Sequence, residues 1–154
     1  MHWLPFAFAA SIFLFHIQYW FVLYDYDVEL ISRWTWATYA PFLALAVILF
    51  LSGGLVLPSA STRPGNSLIE DFQENGKISL LFLAAYILAW VPFNAWGAGT
   101  WLTSGVWYNL GLLVPLLVAY FAQNSWVRDV SALLFLLAQI YGLLFVWSNP
   151  TDLI

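Results

Sequence analysis

His16 is the residue whose type and setting point most directly to chemistry. It lies in the uncharged stretch Phe13-Leu-Phe-His16-Ile-Gln18-Tyr-Trp20. Imidazole in apolar surroundings can hold the metal of a haem or a chlorophyll-type pigment through one ring nitrogen. Trp20 follows one helical turn later, on the same face. The competing reading is a hydrogen bond from His16 to another helix, with Gln139 the natural partner. That structural use is the commoner one for a polar side chain in a span. Membrane b-type haems generally take two axial histidines, and the second histidine, His2, sits at the N-terminal edge. The sequence therefore requires no cofactor, and a tetrapyrrole held by His16 alone is the one that fits. His16, Trp20 and Gln139 form the candidate ligand set. Gln18, Asn94 and Gln123 are the other strong polar groups in or beside spans, with interhelical bonding as their default role.

Catalytic sets are missing from the sequence. The chain contains no cysteine, which removes disulfides, thiolate nucleophiles and iron–sulfur ligation together. No carboxylate accompanies His16 within its apolar stretch, so a Ser–His–Asp arrangement cannot be assembled there. There is no glycine-rich phosphate loop and no histidine cluster. Asp25-x-Asp27-x-Glu29 resembles the start of a calcium loop but lacks its glycine and its distant glutamate; it reads as a solvated acidic loop. Four basic residues and a net charge of −4 exclude nucleic acid, which demands a basic patch. A non-enzymatic protein is the expectation.

The elements that must carry these residues are membrane helices. Of 154 residues, 63% are hydrophobic and 8% charged, too few charges to keep a soluble domain of this size dissolved. Five nearly uncharged stretches stand out, at 3–24, 34–57, 78–96, 101–122 and 130–147, each 18 to 24 residues long. At about 1.5 Å of rise per residue, each can cross a hydrocarbon core of roughly 30 Å. Lipid offers no partner to an open backbone, so each must be helical. Seven of the ten tryptophans lie at or beside the ends of these stretches (Trp3, Trp34, Trp36, Trp96, Trp101, Trp126 and Trp147), at the headgroup level that indole prefers. The first stretch has no basic n-region and reads as a retained helix rather than a signal peptide. The expected fold is one all-α polytopic membrane bundle over residues 1–154, with about five spans.

Between the second and third spans, Pro58–Lys77 opens with turn formers, and Ser67-Leu-Ile-Glu70 then has the form of a capping box. A short interfacial helix over 68–75 is expected, docked on protein through Leu68, Ile69 and Phe72. Arg63, Lys77 and Arg128 fall on one side of the membrane and Arg33 alone on the other, which places the N-terminus inside and the C-terminus outside. Pro41, Pro92 and Pro115 invite kinks. Ala7 with Ser11, Ala40 with Ala44, Gly53-Gly54, and Ala138 with Gly142 offer faces for close helix approach.

Four pieces of the N-terminal half carry a family resemblance: His16-Ile-Gln-Tyr-Trp20, Trp34-Thr-Trp36, Gly54-Leu-Val-Leu-Pro58, and the acidic loop before an aromatic helix. Over residues 16–82 the chain resembles an uncharacterised family of bacterial inner-membrane proteins. The resemblance implies a location in the inner membrane and no activity. In size, helix number and tryptophan content the chain is also similar to translocator proteins, which bind porphyrins and sterols. Their Trp-x-Pro-Pro motif is absent, and Val91-Pro-Phe-Asn-Ala-Trp96 matches their third helix only loosely, so no binding residue carries over. The functional expectation is a membrane accessory subunit whose partners are the bilayer and other membrane proteins. The alternative is a binder of a hydrophobic small molecule or pigment of porphyrin, chlorophyll or lipid type.

Overall fold

Long apolar sequence can satisfy its own backbone only by turning helical, and this chain does so. In the computed structural model, residues 3–30, 35–57, 72, 76–97 and 104–146 are described. Among them are five α-helices and no strand: α1 (Leu4–Leu30), α2 (Trp36–Val56), α3 (Lys77–Gly97), α4 (Ser104–Phe121) and α5 (Ser125–Tyr141). A π-helical turn, Gly142–Val146, extends α5.

Each helix packs on the next one in the chain, and α5 closes back on α1. The result is a ring of helices whose centre is filled by side chains. Phe135 of α5 is central. Its ring lies 6.0 Å from that of Phe8 and 6.1 Å from that of Phe15 on α1. Phe15 in turn meets Tyr86 of α3 edge-on at 5.4 Å, and Tyr86 stacks on Trp90. These offset and edge contacts are the arrangements that aromatic quadrupoles favour.

The surface carries the inverse of a soluble protein's polarity. Large apolar side chains are exposed on every helix, among them Phe13, Phe50, Leu88, Phe121 and Leu134, while Ser11, Ser52, Ser79, Asn109 and Gln139 are fully or almost fully buried. Three segments are long and apolar enough to cross a membrane: Tyr39–Val56, Ser104–Phe121 and Ser125–Phe145. Leu4–Trp20 and Lys77–Pro92 are apolar helical segments of shorter length within the described residues.

Two boundaries differ from those expected. The helix of the first span does not stop before the acidic run but continues to Leu30; Asp25 to Glu29 is helical backbone rather than loop. No proline or glycine interrupts this stretch, and nothing local ends the helix. The last helix starts at Ser125, five residues before the apolar stretch at 130. Asn124 caps it, its side chain accepting from the Trp126 backbone N–H at 2.9 Å. A caps-first reading places the start there, whereas a hydropathy reading waits for Arg128-Asp129 to pass.

Small residues account for several close approaches. Gly53 sits against Ile12 of α1, and a Cβ there would meet its side chain at 3.5 Å. Gly142 faces the Tyr108 ring so closely that any Cβ would overlap the phenol. Gly76 is crowded in the same way by the ring of Phe72.

Candidate functional site

His16 lies on the shoulder of α1, half-buried. Its Nδ1 is 2.9 Å from the Ile12 carbonyl oxygen, one turn back. A carbonyl only accepts, so Nδ1 carries the hydrogen and the lone pair of the neutral ring is on Nε2. That is the tautomer a metal-ligating histidine uses when its other nitrogen is held by a backbone carbonyl. Trp20, one turn on, is 66% exposed and points out of the bundle. Gln139 is wholly buried, and neither of its amide atoms has a hydrogen-bond partner among the described residues. The bridge expected between His16 and Gln139 is therefore not made. The imidazole hydrogen goes to the histidine's own helix, and Gln139 points to the centre of the ring. Trp20 is thus exposed and Gln139 buried, and no hydrogen bond joins His16 to Gln139.

The interior instead holds a polar layer that only partly overlaps the expected one. Tyr108 of α4 donates its hydroxyl to the Ala138 carbonyl of α5 at 2.7 Å. Asn109 follows Tyr108, Gln139 follows Ala138, and both are buried. Asn109 and Gln139 thus each follow one end of a bond that joins neighbouring helices. On α1, Gln18 continues the buried face one turn beyond Phe15, and Tyr19 donates its hydroxyl to the Phe42 carbonyl of α2 at 2.8 Å. Asn109 Nδ2 and Gln139 Nε2 and Oε1 are buried and unpartnered among the described residues.

A second polar contact lies between α2 and α3. Ser52 Oγ donates to the Ser79 carbonyl at 3.0 Å, and Ser79 Oγ donates back to the Ser52 carbonyl at 2.7 Å. Both serines are completely buried. The exchange lets the two backbones approach closely, the use small hydroxyl residues have in membrane bundles.

Asn109, Ser52, Ser79, Tyr19 and Tyr108 were not singled out by the sequence. For Asn109 the signal was present, because an amide in an uncharged 22-residue stretch is unusual and needs a partner. The serines and tyrosines gave no such signal, because their hydroxyls become conspicuous only when the facing helix is known. Gln123 is exposed at the end of α4. The Asn94 side chain lies outside the described residues, as do Leu68 and Ile69 and the rest of the loop helix expected over 68–75, apart from Phe72. Phe72 itself is buried, and its ring stacks on that of Phe8 at 5.9 Å and 13°. The loop is thus anchored to the core at Phe72. Arg128, at the start of α5, is also buried, with its Nε unpartnered among the described residues.

Among the described residues no group of three or more histidine, cysteine or acidic side chains is placed to hold a metal ion. A metal-bearing ligand would rest on His16 Nε2 and supply its own remaining ligands. Set against known protein families, curated proteins and solved structures, the chain matches none of them.

Proposed function

We propose that this chain is an integral membrane protein whose five helices all cross the bilayer, and that it serves as a non-enzymatic subunit packed against another membrane protein. The outward face of α2 carries this reading. Ala40, Ala44, Val47, Leu51 and Gly54 follow one another at helical spacing and are all solvent-facing or nearly so. Nothing approaches the position a Gly54 Cβ would take. In lipid, helices associate by close packing, and small residues are what permit it. Gly53 against α1 and Gly142 against α4 show such residues used internally, whereas Gly111 of α4, like Gly54, has open space at its Cβ position. Among the described residues nothing covers the stripe on α2.

The charge distribution supports an inside N-terminus and an outside C-terminus, and the resemblance over residues 16–82 supports the bacterial inner membrane. Anchoring of Phe72 on Phe8 supports a loop that rests on protein rather than on lipid.

Gentle solubilisation from native membranes, affinity capture and mass spectrometry test the reading. A stoichiometric partner is expected that is lost from the double variant Ala40→Leu/Ala44→Leu while the variant keeps the wild-type melting curve. A chain that runs only as a monomer, or a partner retained by that variant, would refute it.

One observation favours a second reading, ligand binding at His16: the Nδ1–H to Ile12 carbonyl bond that leaves Nε2 as a metal ligand. An absorbance band in the purified protein that disappears in His16→Gln would put a tetrapyrrole there and make pigment binding the leading function.

A further inference from the structure

Three polar atoms in the interior, Gln139 Nε2, Gln139 Oε1 and Asn109 Nδ2, are buried without a hydrogen-bond partner among the described residues. Their residues are 0% and 1% exposed. Such groups are rare in folded proteins and each carries the cost of lost hydration, higher still in a bilayer where no bulk water is at hand. A neutral, fully apolar filling would have been cheaper at both positions, since leucine fits the same faces that Leu112 and Phe135 occupy. We propose that these two amides form a binding site for a single neutral hydroxyl group inside the bundle.

The chemistry follows from the donor and acceptor count. Asn109 Nδ2 and Gln139 Nε2 are donors and Gln139 Oε1 is an acceptor. A carbonyl or ether oxygen satisfies the two donors and leaves Oε1 bare. An ammonium satisfies Oε1 and repels the donors. A hydroxyl accepts through its lone pairs and donates its hydrogen, and set in the plane of the Gln139 amide it does both. Charge selects in the same direction. No charged residue lies on α4, and those of α5, Arg128 and Asp129, precede Gln139 by ten or eleven residues, about 15 Å along the helix axis. A carboxylate or phosphate would be buried there without a counter-ion.

The location is built rather than incidental. The Tyr108 hydroxyl bond to Ala138 pins α4 to α5 one residue before each amide. Gly142, one turn beyond Ala138, lets the Tyr108 ring lie flat against α5. Asn109 and Gln139 thus follow the two ends of one interhelical bond, and both side chains are buried. The same hydroxyl chemistry is offered by an internal water molecule and by the head of a long-chain membrane alcohol, and both satisfy the site.

The test is nuclear magnetic resonance on the whole chain, labelled with nitrogen-15 at asparagine and glutamine side chains, in bicelles with perdeuterated acyl chains. Magnetisation transfer is followed from the two side-chain amide groups to hydroxyl hydrogens, before and after titration with n-decanol. The expected result is a cross-peak from both the Asn109 and the Gln139 amide hydrogens to a hydroxyl resonance. A peak at the water frequency that decanol leaves unchanged identifies water as the occupant. A peak replaced saturably by contacts to the decanol carbinol hydrogens identifies an alcohol. In Gln139→Leu, with its tryptophan fluorescence matching the folded wild type, the Asn109 cross-peak should weaken at least severalfold. Amide hydrogens that contact only each other or other protein hydrogens would overturn the proposal, as would an Asn109 cross-peak of full strength in Gln139→Leu.

Discussion

Gly142→Ala tests the packing that aligns α4 with α5. Gly142 has an ordinary right-handed helical backbone, φ −57° and ψ −47°, so its role is space and not conformation. An added methyl would overlap the Tyr108 phenol at Oη and Cζ and would come within 3.0 Å of Cε1. The ring must move, and its 2.7 Å bond to the Ala138 carbonyl breaks. Overpacking of this kind costs about 1–3 kcal/mol, and an interhelical hydrogen bond in a membrane is worth about 0.6 kcal/mol on average, up to about 1.7. Alanine returns up to about 1 kcal/mol of helix propensity. A net loss of about 1–3 kcal/mol is expected for Gly142→Ala. Tyr108→Phe alone forfeits only the hydrogen bond, about 0.6–1.7 kcal/mol. With the hydroxyl gone, the bond is no longer there to lose and the tightest overlap is relieved, so the double variant should lose about 1 kcal/mol less than the two single losses added. The assay is reversible unfolding of micelle-bound protein by SDS, read by tryptophan fluorescence. Additivity within about 0.5 kcal/mol would show that the two residues do not touch, and the alignment of Asn109 with Gln139 would lose its support.

Phe72→Ala should destabilise the fold by about 3–5 kcal/mol if its ring is core; Gly76→Ala, which crowds the same ring, should expose Phe72–Lys77 to faster hydrogen exchange, and unchanged exchange in both variants would refute the anchor. Ser52→Ala and Ser79→Ala should each cost roughly 0.6 kcal/mol, with a ceiling near 1.7, measured by the same SDS unfolding; losses below the error of the method would mean that the exchanged bonds add nothing. Reporter fusions after Gly65 and after Ile154 should report opposite sides of the membrane, Gly65 inside; the same side for both would mean that the number of crossings is even between them.

Much of the architecture was legible because long apolar stretches can satisfy their backbone only by turning helical. Uninterrupted apolar stretches have to be helical, and their number fixed the number of helices. The helix ends were harder. The α1 end depends on breakers that Asp25–Leu30 lacks, and hydropathy places a boundary where charge begins even when the helix goes on. The α5 start depends on the Asn124 cap, which sits outside the apolar run. Polar interior positions were legible only where the side chain was a strong polar group. Gln139 and His16 drew attention by type, but their relation depends on which way each helix is turned, and a continuous apolar stretch carries little record of its facing. Ser52 and Ser79 lie 27 residues apart in helices whose sequence is apolar almost all round. Only α5, with Arg128, Ser131, Ala132, Phe135 and Gln139 at helical spacing, shows its inner face in the sequence.

That weak facing has an energetic consequence. In water, burying the apolar side of each helix would drive the ring together. In lipid, Phe50, Phe121 and Leu134 are as well solvated outside as they would be inside, and the hydrophobic term between helices vanishes. What remains is shape and a few hydrogen bonds. The shape contacts are Gly53 on Ile12, Gly142 on Tyr108, and the Phe8–Phe135–Phe15 cluster. Among the bonds are the Ser52–Ser79 exchange and the two tyrosines that donate to neighbouring backbones. Each links a different pair: α2 to α3, α1 to α2, α4 to α5. At the α1–α5 seam Phe135 packs on the rings of Phe8 and Phe15, and among the described residues neither amide atom of the nearby Gln139 has a hydrogen-bond partner.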